Sequence, residues 1–174
     1  MRDADDQDFA EFYASAFSRL VGQVFLVTGD LRDAEDLVQE AMARASTRWG
    51  RLRDYDVPEA WVRRVAMNLA ADLGRRSRRR LAAMTRLAAM PATEVVEFPA
   101  EDLRIVKALG TLPLSQRQVL VLHHLADLPL AEVATTLRVP VGTVKSRLKR
   151  ARRALAALLS AEELKGASQD ARDG

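Results

Sequence analysis

The chain has 174 residues, 48% of them hydrophobic and 29% charged, which allows one ordinary domain or two small ones with packed cores. It contains no cysteine, which excludes disulfides, thiolate metal sites and cysteine nucleophiles, and its two histidines are adjacent and poorly placed to share a metal ion. The net charge of +3 is unevenly distributed along the chain. Residues 1–50 hold five Lys/Arg against ten Asp/Glu, whereas residues 51–100 hold ten against six and residues 101–174 twelve against eight. This asymmetry predicts a protein partner for the acidic part and a polyanion for the two basic parts.

Nearly every segment has apolar residues at helical spacing and no strand alternation is evident, so the sequence predicts an all-α fold. The first helix is predicted to start at Asp8, as its cap, and to run to Thr28, where Gly29 ends it. Asp30 is predicted to cap a second, amphipathic helix over residues 31–49. A polar loop is predicted over residues 50–56.

Asp56 and Glu59 have the spacing of a capping box, which predicts the start of a third helix. The end of this helix is strongly basic, with five arginines in residues 75–80. Residues 81–99 contain two prolines and little periodicity, so we predict a linker here, although part of residues 81–90 could be helical. The apolar positions of the third helix follow i, i+4 spacing and are Trp61, Val65, Leu69 and Leu73.

The rest of the chain is predicted to form four more helices, and Ser115 and Gln118 suggest a capping box before the second of them. The predicted fold is therefore all-α, with two small helical domains, residues 8–80 and 100–159, on a flexible linker over residues 81–99. The tail, residues 160–174, is predicted to be disordered. The four helices are predicted over residues 100–110, 116–125, 131–137 and 141–159.

The last two of these helices have the features of a helix-turn-helix. Val133, Ala134 and Leu137 give the first of them a narrow apolar face, and a break at residues 138–140 fits a short turn. Residues 138–153 carry seven basic side chains and no acidic one, which suits a helix lying against DNA phosphates. The alternative is a solvated basic helix that merely ends a bundle.

Three segments also resemble conserved regions of sigma-70-type RNA polymerase sigma factors, in the order found in that family. Because the linker is too short for the extra domain of housekeeping sigma factors, the resemblance is to the two-domain extracytoplasmic-function (ECF) group, and within it to the SigE-like subgroup. The resemblance covers about residues 9–80 and 100–159. It rests on residues 33–45 for the acidic signature of region 2, residues 58–72 and the following arginines for the promoter-melting helix, and residues 112–129 and 141–152 for region 4.

The resemblance implies that the second helix docks on a coiled coil of the largest polymerase subunit and that region 4 contacts the polymerase flap. The residues implied in docking are Asp33, Asp36, Gln39 and Glu40, whose spacing on a helix places them in one polar stripe. Without the resemblance, this stripe would be interpreted as an ordinary solvated face.

The resemblance further implies that the loop before the third helix and the exposed face of that helix capture unpaired bases of the −10 element. Stacking and hydrogen bonds to flipped bases would recover part of the cost of strand separation. Trp61 also lies on the apolar stripe and is favoured as a core residue over a stacking platform. Asn68 can read a base edge as paired donor and acceptor, and the alternative is a solvent-facing residue. The residues implied at the −10 element are Arg51, Arg53, Tyr55, Trp61, Arg64, Asn68, Arg75 and Arg76.

For the −35 element the resemblance implies contacts from the last helix. Lysine and arginine reach guanine edges or phosphates, and serine is less selective. Lys149 stands where many members have an apolar or aromatic residue, so the preferred −35 bases do not follow from the resemblance. The residues implied are Thr143, Lys145, Ser146, Lys149, Arg150 and Arg153.

Together these features predict a non-enzymatic sigma factor that binds core RNA polymerase and directs promoter-specific initiation, with no metal and no cofactor. An anti-sigma factor is the expected regulator, although phosphorylation or expression control would also serve. With no long apolar run and an acidic N-terminus, the protein is expected to be cytoplasmic. The alternative function is a stand-alone helix-turn-helix regulator that binds duplex DNA as a dimer, and an enzyme on a helical scaffold is disfavoured.

Overall fold

The computed structural model describes residues 2–84 and 100–173, and within these ranges every regular element is a helix, which confirms the predicted all-α class. We call the helices before the gap the first module and those after it the second module. The first module comprises α1 (Arg2–Thr28), α2 (Leu31–Ser46), α3 (Trp49–Leu52) and α4 (Pro58–Met84). The second module comprises α5 (Ala100–Gly110), α6 (Leu114–Leu120), a π-helical turn (Val121–Leu125), α7 (Leu130–Leu137) and α8 (Val141–Asp173).

The corner between α1 and α2 forms as the sequence predicts. Gly29 has φ +80°, a left-handed conformation that glycine adopts at little cost, and it ends α1. The carboxylate of Asp30 accepts a hydrogen bond of 2.9 Å from the backbone N–H of Asp33, so Asp30 caps α2. This corner brings α2 back along α1, and the buried faces of the two helices meet in the core.

The start of α1 and the predicted loop after α2 differ from the prediction. Helix α1 begins at Arg2, and the carboxylate of Asp8 accepts a hydrogen bond of 3.1 Å from the Trp49 indole N–H. Trp49 begins the short helix α3, which lies partly within the predicted loop. The Trp49 ring is buried and stacks on Phe12, with ring centroids 4.8 Å apart. An aromatic cluster therefore holds in place a segment that lacks helical periodicity.

Helix α4 buries a different face from the one predicted. The predicted positions Trp61, Val65, Leu69 and Leu73 are only half-buried. The fully buried positions are shifted toward the C-terminus by about one residue from the predicted ones. The reason is that α4 packs on the second module as well as on α1 and α2, so a wider arc of the α4 surface is covered. Helix α4 also continues through residues 81–84, within the part of the predicted linker that the sequence left open to a helix, and residues 85–99 lie outside the described residues. The fully buried residues are Val62, Ala66, Met67 and Ala70.

In the second module both capping and the end of the chain differ from the prediction. Helix α6 starts at Leu114, directly after Pro113, and no side chain caps it, so Ser115 and Gln118 form no capping box. Gln118 is buried and bonds elsewhere. Helix α8 continues over residues 160–173, where the sequence predicted a disordered tail.

The two modules pack against each other, which the sequence did not predict. Helices α1 and α4 contact α5, α6 and α7, and the buried residues of both modules form one continuous hydrophobic cluster. The amide of Gln118 donates a hydrogen bond of 2.8 Å to the backbone carbonyl of Met67 across this interface. An ideal Cβ at Gly74 would lie 2.9 Å from Leu114 Cδ1, so the absence of a side chain at Gly74 allows α4 and α6 to approach closely.

Candidate nucleic-acid and polymerase interfaces

The helix-turn-helix of α7 and α8 is held by a small core and a tight turn. Val133 and Val144 are fully buried and Ala134 is nearly so, which lets the two helices cross closely. The chain turns through Arg138, whose φ of 54° is left-handed, and the backbone N–H of Val139 donates to the carbonyl of Ala134 at 3.0 Å. A non-glycine residue in this conformation costs about 1 kcal/mol, so the surrounding packing enforces the turn.

The outer face of α8 is basic and solvent-exposed. Thr143 is half-buried, and the other five residues of the predicted −35 set are exposed. The guanidinium of Arg150 donates to the Ser146 carbonyl and hydroxyl, both at 3.3 Å, which fixes the two side chains against each other. In the described part of the chain no ion pair is recorded for the basic residues of this set, which are Lys145, Lys149, Arg150 and Arg153. Their charge is therefore available to a phosphate backbone.

The predicted −10 residues before α4 surround an exposed loop. Arg51 lies on α3, and Tyr55 projects from the loop with 54% of its surface exposed. Arg53 forms an ion pair with Asp5 of α1 and lies 3.9 Å from a carboxylate oxygen of Asp54. An exposed aromatic ring close in sequence to two arginines can combine base stacking with backbone contacts.

On α4 the predicted −10 residues range from half-buried to exposed. Trp61 is half-buried against the core, and the Arg48 guanidinium lies 5.8 Å from its ring centroid. The Nε of Arg64 is buried and has no hydrogen-bond partner among the described residues. Asn68 is half-buried, and Arg75 is exposed and paired with Asp72. Arg76 is exposed at the end of this set.

Asn68 and Arg75 also line a cleft of about 350 Å³ between the modules. Ser115 of α6 and Arg147 of α8 line the same cleft. The structure thus brings part of the predicted −10 surface next to the helix that carries the predicted −35 surface. No sequence pattern indicated this proximity, apart from the glycine at position 74 within a helix, which is a weak signal of close backbone approach.

Three of the four predicted polymerase-docking residues are exposed, and the fourth is half-buried. Asp36, Gln39 and Glu40 are exposed on α2, and Glu40 pairs with Arg44 at 2.8 Å. Asp33 is half-buried and lines a cavity of about 530 Å³ that Leu114 and Arg117 of the second module also line. Burial raises the pKa of the Asp33 carboxyl, and the negative charges of Asp30 and Asp36 add to the rise.

A buried ionic network at the start of α4 was missed by sequence reasoning. Glu59, predicted to belong to a capping box, instead bonds Arg63 at 2.5 Å and Arg19 of α1. Arg63 is only 7% exposed and also donates to the Gln23 side-chain oxygen at 3.2 Å. Burial would raise the pKa of Glu59, but the hydrogen bonds and charges of Arg19 and Arg63 outweigh it, so its pKa is lowered. The network fixes the N-terminal end of α4, and with it the neighbouring loop.

The two histidines make structural contacts. His123 Nδ1 lies 2.9 Å from the carbonyl oxygen of Leu128, and His124 Nε2 accepts a hydrogen bond from Arg152 of α8. Burial, Arg152 and His123 lower the pKa of His124. Among the described residues no three His, Asp or Glu side chains are grouped to hold a metal ion, and no described helix is long and apolar enough to cross a membrane.

Fold and surfaces together define a two-module helical protein with a helix-turn-helix and a basic recognition helix. The sigma-70 region 2 family model matches residues 12–80, and the sigma-70 region 4 model matches residues 102–155. The chain is 32% identical to the RNA polymerase sigma-E factor of Streptomyces coelicolor over 157 residues, which cover 90% of this chain and 89% of that protein. It is 29% identical to the ECF RNA polymerase sigma factor SigW of Bacillus subtilis over 169 residues, covering 86% and 88%.

Solved structures agree with these matches. CnrH, in complex with the cytosolic domain of CnrY, is similar with a TM-score of 0.60 and 28% identity, over 90% of each chain. The sigma factor RpoE of Bartonella quintana, in complex with the anti-sigma factor NepR, shares the fold with a TM-score of 0.67 and 23% identity, over 88% of this chain and 98% of that one. The chain belongs to the sigma-70 family of RNA polymerase sigma factors, in its ECF group, as the sequence motifs predicted. Proteins of this family are DNA-binding initiation factors.

Proposed function

We propose that this sigma factor docks on core RNA polymerase through the exposed face of α2 and reads promoters with two separate surfaces. The observation that carries the proposal is the outer face of α8, where basic residues are exposed without acidic neighbours on a helix held by a helix-turn-helix core. Family membership supplies the context, because region 2 and region 4 are both present and in order.

The −35 surface is proposed to be the exposed part of α8. A recognition helix enters the major groove with its N-terminal residues near base edges. Lys145, Ser146 and Lys149 lie at that end, and Arg150 and Arg153 extend the basic face toward the backbone. Thr143, half-buried at the helix start, is proposed to contact a phosphate beside the groove.

The −10 surface is proposed to combine the loop after α3 with one face of α4. Tyr55 is the exposed ring available for stacking, and Arg51 and Arg53, which precede it in the chain, are proposed to contact the backbone. Trp61 is half-buried, which suits a wall of the base pocket that also braces the core. The α4 residues proposed to reach the same strand are Arg64, Asn68, Arg75 and Arg76.

Polymerase docking is proposed for Asp36, Gln39 and Glu40, which are exposed on α2. Asp33 is proposed to join them when the second-module residues that line its cavity, Leu114 and Arg117, move away. An acidic stripe on a rigid helix accelerates encounter with a basic surface and fixes its register. The expected partner surfaces are the coiled coil of the largest subunit and, for region 4, the flap.

The protein is proposed to act in the cytoplasm without catalysis or cofactor, using binding energy to separate the strands. An anti-sigma factor is the proposed regulator. Of the two similar solved structures, RpoE is in complex with the anti-sigma factor NepR and CnrH is in complex with the cytosolic domain of CnrY. Control by phosphorylation or by expression alone would leave the same promoter chemistry unchanged.

The proposal is tested by run-off transcription on genomic fragments with holoenzyme reconstituted from core polymerase. The double variant Lys145→Glu with Arg150→Glu is expected to abolish −35-dependent transcription. Gel filtration should still show co-elution of this variant with core polymerase, because the substituted residues are on α8 and the proposed docking face is on α2. As a matched pair, Lys145→Glu alone is compared with Lys107→Glu, an equal charge change at an exposed site on α5. Loss of co-elution in the double variant would show that the division of labour between the modules is wrong.

The alternative, a helix-turn-helix regulator acting alone as a dimer, gives a different result in the same experiment. Such a protein would elute as a homodimer, ignore core polymerase and retard duplex DNA without it. Failure of the reconstituted holoenzyme to initiate on any fragment, together with that elution profile, would replace the sigma proposal by the regulator.

A further inference from the structure

The first turn of α8, residues 141–144, carries no charged side chain, unlike the basic stretch that follows it. Val141 is 39% exposed and Gly142 is exposed, whereas Val144 is fully buried in the helix-turn-helix core. Of the large hydrophobic residues that the structure describes as exposed, Val141 is the only one on α8. An apolar side chain is therefore exposed to solvent at the end of the helix that is proposed to meet base edges.

Val141 and Gly142 lie on the same side of α8 as two of the proposed −35 residues. Residues four apart on a helix are separated by about 40° around the axis and about 6 Å along it. Val141 is therefore the neighbour of Lys145, and Gly142 is the neighbour of Ser146. Lys145 and Ser146 are both exposed, so the uncharged first turn continues the proposed −35 surface to the N-terminal end of the helix.

Nothing in the described part of the fold requires a glycine at position 142. The backbone N–H groups of Thr143 and Val144 donate to the Pro140 carbonyl at 2.9 and 3.2 Å, so the first turn is hydrogen-bonded as a helix. Gly142 does not have the left-handed φ that favours glycine, and an ideal Cβ at this position would meet nothing within 4 Å. Because glycine is less favourable than alanine in a helix, the missing side chain stabilises nothing here and leaves clear space on the outer face.

The chemistry of the major groove indicates what such a surface can contact. Thymine presents its C5 methyl group there, and no other base has an apolar group of this kind at its edge. A valine can bury its exposed surface against that methyl group, whereas a lysine or arginine would lose water there without gaining a partner. The contact requires the backbone of the first turn to lie close to the groove, and a glycine permits such an approach.

We propose that Val141 reads a thymine of the −35 element through its C5 methyl group, and that Gly142 provides the clearance for this contact. The inference rests on the proposed −35 role of α8. It adds one selected base to a surface whose other proposed contacts are made by cationic and hydroxyl side chains. Burial of about one methyl group gives a threefold to fivefold preference for thymine over deoxyuridine, which differs from thymine only in lacking that group.

The contact of Val141 is tested by filter binding of the reconstituted holoenzyme to a promoter that supports run-off transcription. Each thymine of the −35 element, on either strand, is replaced in turn by deoxyuridine. We expect one replacement to weaken binding of the wild-type holoenzyme about threefold to fivefold and to leave the affinity of Val141→Ala unchanged. Ile105→Ala, which truncates an exposed side chain on α5, is the control and should keep the wild-type preference.

The clearance at Gly142 is tested by opposite effects on stability and on binding. Gly142→Ala is expected to lower the equilibrium constant of urea unfolding about twofold to fivefold, and to weaken binding of the holoenzyme to the same promoter about tenfold or more. Gly22→Ala is the matched control, because Gly22 is also exposed within a helix and an ideal Cβ there also meets nothing within 4 Å. This control should stabilise the protein to a similar extent and leave DNA binding unchanged.

The outcomes separate this inference from the proposed function. If the wild-type holoenzyme initiates transcription but shows no preference for thymine at any −35 position, or keeps that preference in Val141→Ala, the contact is wrong and the sigma function stands. Wild-type affinity in Gly142→Ala would likewise overturn the inference alone. If no form of the protein initiates transcription with core polymerase, the proposed function fails, and the inference that rests on it fails too.

Discussion

The ionic network around Glu59 makes a quantitative prediction about stability. Glu59→Gln removes the carboxylate charge that joins Arg63 to Arg19 and leaves Arg63 without an anionic partner, with only neutral oxygens such as that of Gln23 to accept from it. The side chains of Arg63 and Glu59 are 9% and 15% exposed, so the remaining guanidinium stays in a poorly hydrated site. Breaking a buried pair on one side costs about 3–5 kcal/mol. Because Arg19 is largely exposed and glutamine still accepts one hydrogen bond, we expect a loss of about 3 kcal/mol, at the lower end of that range.

Urea unfolding followed by far-UV circular dichroism measures this loss. With a slope of about 2 kcal/mol per molar urea, the midpoint should fall by roughly 1.5 M. Glu40→Gln is the control, because it breaks the exposed Glu40–Arg44 pair, which is expected to contribute less than about 0.5 kcal/mol. A midpoint for Glu59→Gln within 0.2 M of the control, on the order of 0.4 kcal/mol at that slope, would refute the buried-network reasoning.

The pH dependence gives an independent check of the same network. The pKa of Glu59 is lowered from its ordinary value of 4.5 in the folded protein, so the unfolded chain takes up the proton first as the pH falls. The stabilisation by the carboxylate is therefore complete above the ordinary pKa and is lost as the pH falls through the lowered folded pKa. Wild-type protein and Glu59→Gln should differ fully at pH 7 and converge progressively as the pH falls below 4.5. A difference that persists unchanged at pH 3 would mean that the carboxylate charge is not its source.

Two further predictions concern the helix-turn-helix. Arg138→Gly should raise the free energy of unfolding by about 0.5–1 kcal/mol, because glycine adopts the left-handed backbone of the turn without strain. Urea unfolding measures this change, and a lower free energy of unfolding in the variant would contradict the prediction. Arg153→Gln should reduce the slope of log affinity against log salt on −35 duplex DNA by about one, since one phosphate contact is lost. Filter binding of the holoenzyme measures this slope, and an unchanged slope with altered base preference would instead place Arg153 on a base edge.

The sequence predicted best where the determining contacts are local. The Asp30 cap, the left-handed Gly29 and the buried stripe of α2 involve residues within one or two turns of each other, and all three are present. The helix-turn-helix core around Val133 and Val144 is likewise a matter of neighbouring elements with regular spacing. Family membership followed from short motifs in order, which the comparisons confirm.

The predictions of capping boxes and of the buried face of α4 were wrong where a side chain contacts a partner that is distant in sequence. Glu59 and Gln118 both have capping-box spacing, yet each bonds a residue at least 40 positions away in sequence, and such partners leave no local trace. The register of α4 was wrong for the same reason, because contacts with the second module widened its buried arc toward Met67. The short helix α3 has no periodicity of its own, and its position depends on the stacking of Trp49 against α1.

The aromatic packing of Trp49 and the half-buried Trp61 have a practical consequence for watching this molecule unfold. Both tryptophans lie in the first module, and residues 100–174 contain no tryptophan, tyrosine or phenylalanine. Intrinsic emission therefore reports only on the first module, whereas backbone dichroism reports on all the helices. A lag between the two signals during heating would show directly that one half of the protein melts while the other is still folded.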